Sequence, residues 1–147
     1  MEHLTLLVKP ASSLCDLRCR YCFYEDVSDS RQVKNMGRMT EETARRLLTA
    51  SVQAVGAQGS MQITFQGGEP TLAGLEFYRS FLALEGQICP SSLRITHSIQ
   101  TNGMTLDREW ADFLGEHGFL VGLSLDGARE FHDTLRVDPR GKGTWDR

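Results

Sequence analysis

The chain of 147 residues has no run of basic side chains: 16 Lys and Arg are mixed with 19 Asp and Glu, for a formal charge of −3. Without a positive stripe there is no electrostatic footprint for a phosphate backbone, so no nucleic-acid partner is expected. No apolar stretch approaches the length of a membrane-spanning helix, so no membrane partner is expected either. The start, MEHLTLLVKP, lacks the basic leader and the apolar core of a signal peptide. Cysteines number only four, and three are crowded. A secreted disulfide framework would space them more widely in a shorter chain, so a reducing compartment, the cytoplasm, is the expected location. At this length and 40% hydrophobic content, one compact domain is expected.

What is present is SSLCDLRCRYCFY, residues 12–24, with three cysteines at the spacing C-x3-C-x2-C. Cys15, Cys19 and Cys22 can deliver three thiolates to one soft metal centre. A [4Fe–4S] cube held this way keeps one iron without a protein ligand, open to a small molecule with amine and carboxylate groups. Two other readings compete. Positions i, i+4 and i+7 share a helix face and could be small core hydrophobes, but Asp16, Arg18 and Arg20 interleave and no apolar stripe extends the segment. A zinc site of three cysteines and a histidine would make this an interaction domain, yet zinc cysteines come as paired C-x2-C knuckles and no second knuckle exists.

Leu4 to Lys9, closed by Pro10, reads as a buried strand, so the cysteine loop follows a strand directly. Residues 25–39 read as a polar, exposed connection. A helix then begins at Thr40, with Glu41 and Glu42 in its first turn, Ala44, Leu47, Leu48, Val52 and Val55 at helical spacing, and Gly56 at its end. A second strand, Met61 to Gln66, runs into Gly67, Gly68, Glu69 and Pro70. Two glycines at a strand end allow a sharp bend and close approach to a ligand, and Glu69 supplies a charged acceptor. Alone, GGEP would be an ordinary strand-to-helix turn. The next helix carries Phe77, Tyr78, Phe81, Leu82 and Ile88, read as core, with Cys89 at its end as a structural thiol.

Leu93 to Gln100 reads as a third strand, ending in Thr101, Asn102 and Gly103, where Gln100, Thr101 and Asn102 offer three hydrogen-bonding side chains. Trp110, Phe113 and Leu114 mark another helix. Phe119 to Leu125 is nearly all apolar, the pattern of a strand covered on both faces of a parallel sheet, and it leads through Ser124 to Asp126 and Gly127. Strands alternating with helices predict an α/β fold with a parallel sheet and right-handed crossovers, about four βα units in all. Each strand end carries a polar or metal-binding cluster, and parallel sheets bind ligands at that edge. Arg136 lies just beyond the fourth turn and could clamp a carboxylate, although a lone arginine is most often a solvated surface charge. The last residues, GTWDR, read as the opening turn of a helix.

With these motifs read, the chain resembles a radical S-adenosylmethionine (SAM) enzyme, whose signature C-x3-C-x-aromatic-C is met by Cys15, Cys19, Tyr21 and Cys22. More narrowly, KPASSLCDLRCRYCFY, FQGGEPTLAGLEFY, SIQTNG, FLVGLSLDG and FHDTLRVDPRGKGTW resemble the anaerobic sulfatase-maturating enzymes over essentially the whole chain. Broader peptide-modifying radical SAM enzymes share the cysteines and GGEP and are the nearest alternative.

The resemblance implies the N-terminal portion of a partial (β/α)6 TIM-like barrel, with residues 1–147 forming an incomplete radical SAM core domain. It also implies a [4Fe–4S] cluster on Cys15, Cys19 and Cys22 and S-adenosylmethionine on its open iron, cleaved to a 5′-deoxyadenosyl radical. A cysteine or serine of a sulfatase polypeptide would then be oxidised to Cα-formylglycine. By position, Tyr21, Gly67, Gly68, Glu69, Gln100, Asn102, Ser124 and Arg136 would bind cofactor, and Gln66 and Tyr24 would face substrate. Flavodoxin or ferredoxin would supply electrons. Family members continue for more than twice this length, through further strands and auxiliary-cluster domains that carry the catalytic acid or base. The expectation is therefore a fragment, or a truncated product that binds cofactor without turnover, with an unpaired edge on its last strand.

Overall fold

The computed structural model describes residues 2–24 and 30–147. Four strands, β1 (His3–Val8), β2 (Ser60–Phe65), β3 (Arg94–Thr101) and β4 (Leu120–Leu123), form one sheet in the order β1-β2-β3-β4. Every neighbouring pair is parallel. Helices α1 (Glu41–Val55), α2 (Leu75–Ile88) and α3 (Arg108–Glu116) cross between them, and α4 (Arg129–Leu135) follows β4. Sequential order with crossovers of one hand sends the helices to a single face, as in a barrel wall, whereas a doubly wound sheet reverses its order and covers both faces. The expected α/β architecture of four strand-helix units is present.

Two of the helices start at a side-chain cap, whereas α2 and α4 follow Gly74 and Ala128 without one. Thr40 Oγ1 accepts the Thr43 N–H at 3.2 Å before α1, and Asp107 Oδ1 accepts the Trp110 N–H at 2.9 Å before α3. Gly56, at φ 77°, ends α1. Between β2 and α2, a 3-10 turn over Pro70–Ala73 intervenes.

The helices pack their apolar stripes onto alternate strand residues. Val8, Met61, Ile63, Phe65 and Ile99 meet Ala44, Leu48 and Val55 of α1, Tyr78, Phe81 and Leu84 of α2, and Trp110, Phe113 and Leu114 of α3 in one core. Phe65 is at its centre, edge-on to Tyr78 and Phe81 with ring centroids 5.0 and 5.2 Å away. Each such fully buried side chain contributes about 1.5–3 kcal/mol. Along the strands, the residues between these core positions are largely polar. Registered rows such as Thr5, Gln62 and Thr96 run across the sheet, and Thr64 and Ser98 hydroxyls lie 2.8 Å apart. One face of the sheet is thus core and the other a polar wall.

β4 is shorter than its apolar run, and it is not covered on both faces: Leu120 and Leu123 are 72% and 56% exposed. Among the described residues β4 ends the strand order, which is the unpaired edge expected of the last strand. GTWDR is held by long-range bonds, with Trp145 N–H donating to Asp133 Oδ1 at 2.9 Å and Gly143 pairing antiparallel with Val137, and residues 144–147 form a turn closed by Arg147 N–H on Thr144 O at 3.3 Å. α4, not foreseen, fills the stretch before Arg136. Of the polar connection over 25–39, residues 25–29 lie outside the described residues, and the remainder is irregular and mostly exposed. Among the described residues no helix is long and apolar enough to cross a membrane.

Candidate functional site

The cysteine loop leaves β1 through Pro10 and is not helical, so its three cysteines do not form a helix face; each is half-buried rather than packed in a core. Ala11 and Leu17, at 0% and 3% exposure, anchor it. The loop is clamped from two sides. On one side the Glu69 N–H donates to Leu14 O at 2.6 Å. On the other, Arg18 N–H donates to Val137 O at 2.7 Å and Arg20 N–H to Leu135 O at 2.9 Å.

Gly68 explains the first clamp. Its φ is 55°, and a Cβ there would collide with the Leu14 carbonyl oxygen and stand 2.9 Å from Ser13 C. The close approach expected of GGEP is therefore made first to the cysteine loop's own backbone. Gly67, at φ 103°, is likewise crowded by the Lys9 side chain.

Glu69 is 1% exposed, and its carboxylate is a brace rather than a free acceptor. Oε1 accepts from Thr71 N–H at 3.0 Å, Thr71 Oγ1 at 2.7 Å and Thr101 Oγ1 at 2.7 Å, and Oε2 from Asn102 N–H at 2.7 Å. This joins the end of β2 to the end of β3. The core fixes the same turn from below, since the buried Tyr78 hydroxyl donates to Pro70 O at 2.9 Å. Burial holds that phenol far above its ordinary pKa, so it remains a donor. Asn102 passes the link on: its Nδ2 donates to Asp16 Oδ1 at 2.8 Å and stands 3.8 Å from Cys15 Sγ.

At the next strand end Gln100 Nε2 donates to Ser124 Oγ at 2.9 Å, and Ser124 N–H to Thr101 O at 2.9 Å. Arg136, 13% exposed, is no solvated surface charge. Its Nε lies 3.0 Å from Asp126 Oδ2, its Nη1 3.9 Å from Cys19 Sγ, and its guanidinium carbon 5.5 Å from the centre of the Tyr21 ring. Tyr21 OH donates to Asp126 Oδ2 at 2.6 Å, and burial together with that bond pushes its pKa up to about 12.

The structure therefore brings Cys15, Cys19, Tyr21, Gly68, Glu69, Asn102 and Arg136 into one connected rim, with the Gln100–Ser124 pair beside it. Tyr24 stands apart from the hydrogen-bond chain, under Lys9 Nζ at 4.7 Å, and lines a cavity of about 370 Å³ with Cys15, Cys22 and Gly68. Gln66 is half-buried at the end of β2, tied only through its backbone N–H to Val8 O at 2.9 Å among the bonds described. A second cavity, about 290 Å³, is bordered by Asn102, Ser124 and Arg136. The largest described cavity, about 810 Å³, lies between α2 and α3 around the His97–Glu85 pair and touches none of these residues. Thr101 and Asp126 belong to the QTNG and LSLDG turns that the sequence marks as polar clusters, and the structure gives each a definite partner, Glu69 and Tyr21. Asp16, His132 and Thr144 carry no such local signal and acquire their roles only through contacts distant in sequence.

The donor set beside the rim, three free cysteines on one loop, fits an iron–sulfur cluster. Burial pushes the Cys15 thiol up to about 11 and raises Cys19 as well, Arg136 opposing the latter. Such thiols become thiolates on a strongly positive centre. A cube takes each thiolate at a separate iron. Arg136 Nε, buried and lacking an aligned hydrogen-bond acceptor, is a further unsatisfied donor at this rim.

Comparison with known proteins agrees with this geometry. Among curated proteins, the cysteine-type anaerobic sulfatase-maturating enzyme of Clostridium novyi (strain NT) is 42% identical over 147 residues, covering 100% of this chain and 39% of that protein. The serine-type anaerobic sulfatase-maturating enzyme of Klebsiella aerogenes is 41% identical over 141 residues, covering 95% and 34%. The solved structure of native anSMEcpe with bound AdoMet matches with a TM-score of 0.88 and 46% identity, covering 97% of this chain and 38% of that one. The chain thus spans less than two-fifths of each of these two enzymes. The Radical SAM superfamily model matches residues 10–147, and with its cysteine loop seated at the strand ends of a parallel sheet, the chain belongs to the radical SAM superfamily.

Proposed function

We propose that this chain is the cofactor-binding part of an anaerobic sulfatase-maturating enzyme, which oxidises a cysteine or serine of a sulfatase polypeptide to Cα-formylglycine. The observation that carries the reading is the joining of four strand-end turns into one rim around Cys15 and Cys19, through Glu69, Asn102 and Arg136. Similarity to named sulfatase-maturating enzymes and to a solved structure with bound AdoMet supports it.

Cys15, Cys19 and Cys22 would hold a [4Fe–4S] cluster, and S-adenosylmethionine would occupy the rim beside them. Together these groups supply one-electron cleavage of a sulfonium and hydrogen-atom abstraction. The chain's own contribution is placement. Glu69 fixes the β2 and β3 ends, so the backbone of Gly67 and Gly68 presents its polar groups at a set position beside the loop. Gln100 holds the Ser124 hydroxyl, and Asn102 holds Asp16 near Cys15. Arg136 offers a cation to a carboxylate. Gln66 ends the polar wall, where its amide can meet a substrate chain, and Tyr24 borders the cysteine cavity. A small one-electron carrier such as flavodoxin or ferredoxin would reduce the cluster, in the cytoplasm.

The test is anaerobic incubation of the reconstituted protein with S-adenosylmethionine, a reductant and sulfatase-derived peptides carrying either cysteine or serine. Formation of 5′-deoxyadenosine with an aldehyde in the peptide is expected from the complete enzyme. 5′-Deoxyadenosine without peptide oxidation would support a different radical SAM substrate.

A further inference from the structure

Residues 135–137 run alongside residues 18–20 in the opposite direction, joined by the Arg18 N–H bond to Val137 O and the Arg20 N–H bond to Leu135 O. That pairing sets Cys19 directly across from Arg136, at the kind of position where two antiparallel segments bring side chains closest. The contact is made, with Arg136 Nη1 3.9 Å from Cys19 Sγ.

The Asp126 side chain holds Arg136 as an ion pair, and its backbone N–H, independent of the side chain, ties the same turn to the Arg136 segment. Its carboxylate lies 3.0 Å from Arg136 Nε while accepting the Tyr21 hydroxyl at 2.6 Å. Its backbone N–H points to His132 Nδ1 at 3.5 Å, His132 Nε2 lies 3.2 Å from Thr144 Oγ1, and that hydroxyl donates to Arg136 O at 2.9 Å. His132 and Thr144 are both buried, at 6% and 4% exposure, so this backbone tie is part of the interior.

We propose that Asp126 is a positioning residue that aims the Arg136 guanidinium at the Cys19 sulfur, and that this contact raises the reduction potential of an iron–sulfur cluster bound there. The inference rests on the cluster reading given above. A donor to a ligating sulfur favours the more negative, reduced cluster, and a nearby cation acts in the same direction. A guanidinium released from Asp126 would turn toward water and lose much of both effects. Asp126 also brings an opposing negative charge, so substituting it alone mixes two contributions of opposite sign. The coupling between positions 126 and 136 isolates the positioning effect.

The experiment is an EPR-monitored redox titration of the anaerobically reconstituted chain, with iron content and circular dichroism recorded for each variant. Arg136→Gln is expected to lower the midpoint potential in the otherwise unchanged chain, and to lower it by less than half as much in an Asp126→Asn background. In an Asp126→Glu background, which keeps the carboxylate and serves if Asp126→Asn assembles no cluster, most of the Arg136 effect is expected to remain. Equal shifts in the unchanged chain and in whichever variant background assembles with its carboxylate removed, loss of the Arg136 effect in Asp126→Glu, or no shift anywhere, would overturn the inference while leaving the cluster reading intact. Failure of the unsubstituted chain to assemble any cluster would overturn both.

Discussion

Phe65 and Glu69 are four residues apart, almost fully buried at 0% and 1% exposure, and held in opposite ways. Phe65 is surrounded by the rings of Phe77, Tyr78, Phe81 and Phe119, with contacts that depend on volume and shape. Glu69 is held by four directed donors from Thr71, Thr101 and Asn102. The difference separates two jobs. An apolar core tolerates replacement by side chains of similar volume, whereas a polar brace leaves buried donors unsatisfied when a single carboxylate goes. The core makes the barrel wall; the rim fixes where its loops end.

The rim's dependence on individual atoms is sharpest at the cysteines. Cys19→Ala is expected to abolish cluster assembly, since two thiolates remain where three are needed; full iron and labile sulfide in the variant would refute the ligand assignment. Next comes Glu69→Ala, expected to cost about 3–5 kcal/mol in urea unfolding through loss of charge-assisted bonds and orphaned donors. A cost under about 1 kcal/mol would put Glu69 on the same footing as a surface residue. Gly68→Ala combines a left-handed backbone with overpacking against Leu14, at about 2–4 kcal/mol. It should also impair cluster assembly, and a variant that lost stability but bound iron normally would break the link between that glycine and the loop.

The core side of the comparison predicts smaller numbers. Ile63→Val, at a position with 0% exposure, should cost about 0.5–1.5 kcal/mol and leave iron binding unchanged. Smallest of all, Arg46→Ala removes an exposed pair with Glu42 one turn away on α1, and should change stability by no more than about 0.5 kcal/mol. Thermal or urea unfolding of both would show whether rim and core differ as stated.

The same contrast decides what was legible in the sequence. Core elements announce themselves locally: the stripe Ala44, Leu48, Val55 and the cap Thr40 mark α1, and the strand alternation around Ile63 and Phe65 marks β2. The cysteine spacing and GGEP are local too. The bonds that turn those motifs into a site are not. Glu69 meets Thr101 and Asn102, Tyr21 meets Asp126, and Arg136 meets Cys19, each across 32 to 117 residues. Sequence placed Glu69 as an open acceptor because nothing local shows that its oxygens are already taken. Asp126 is legible as a member of the polar LSLDG turn, but its partners Tyr21 and Arg136 are not, because they lie 105 residues before it and beyond the next helix.

Low-temperature EPR of the anaerobically reconstituted, reduced chain, before and after addition of S-adenosylmethionine, tests the central claim that this rim is a cluster-and-cofactor site. A [4Fe–4S]+ signal that changes on addition is the result expected from three thiolates and an open iron beside the rim. A cluster signal indifferent to the cofactor, or no cluster with zinc bound in its place, would contradict it.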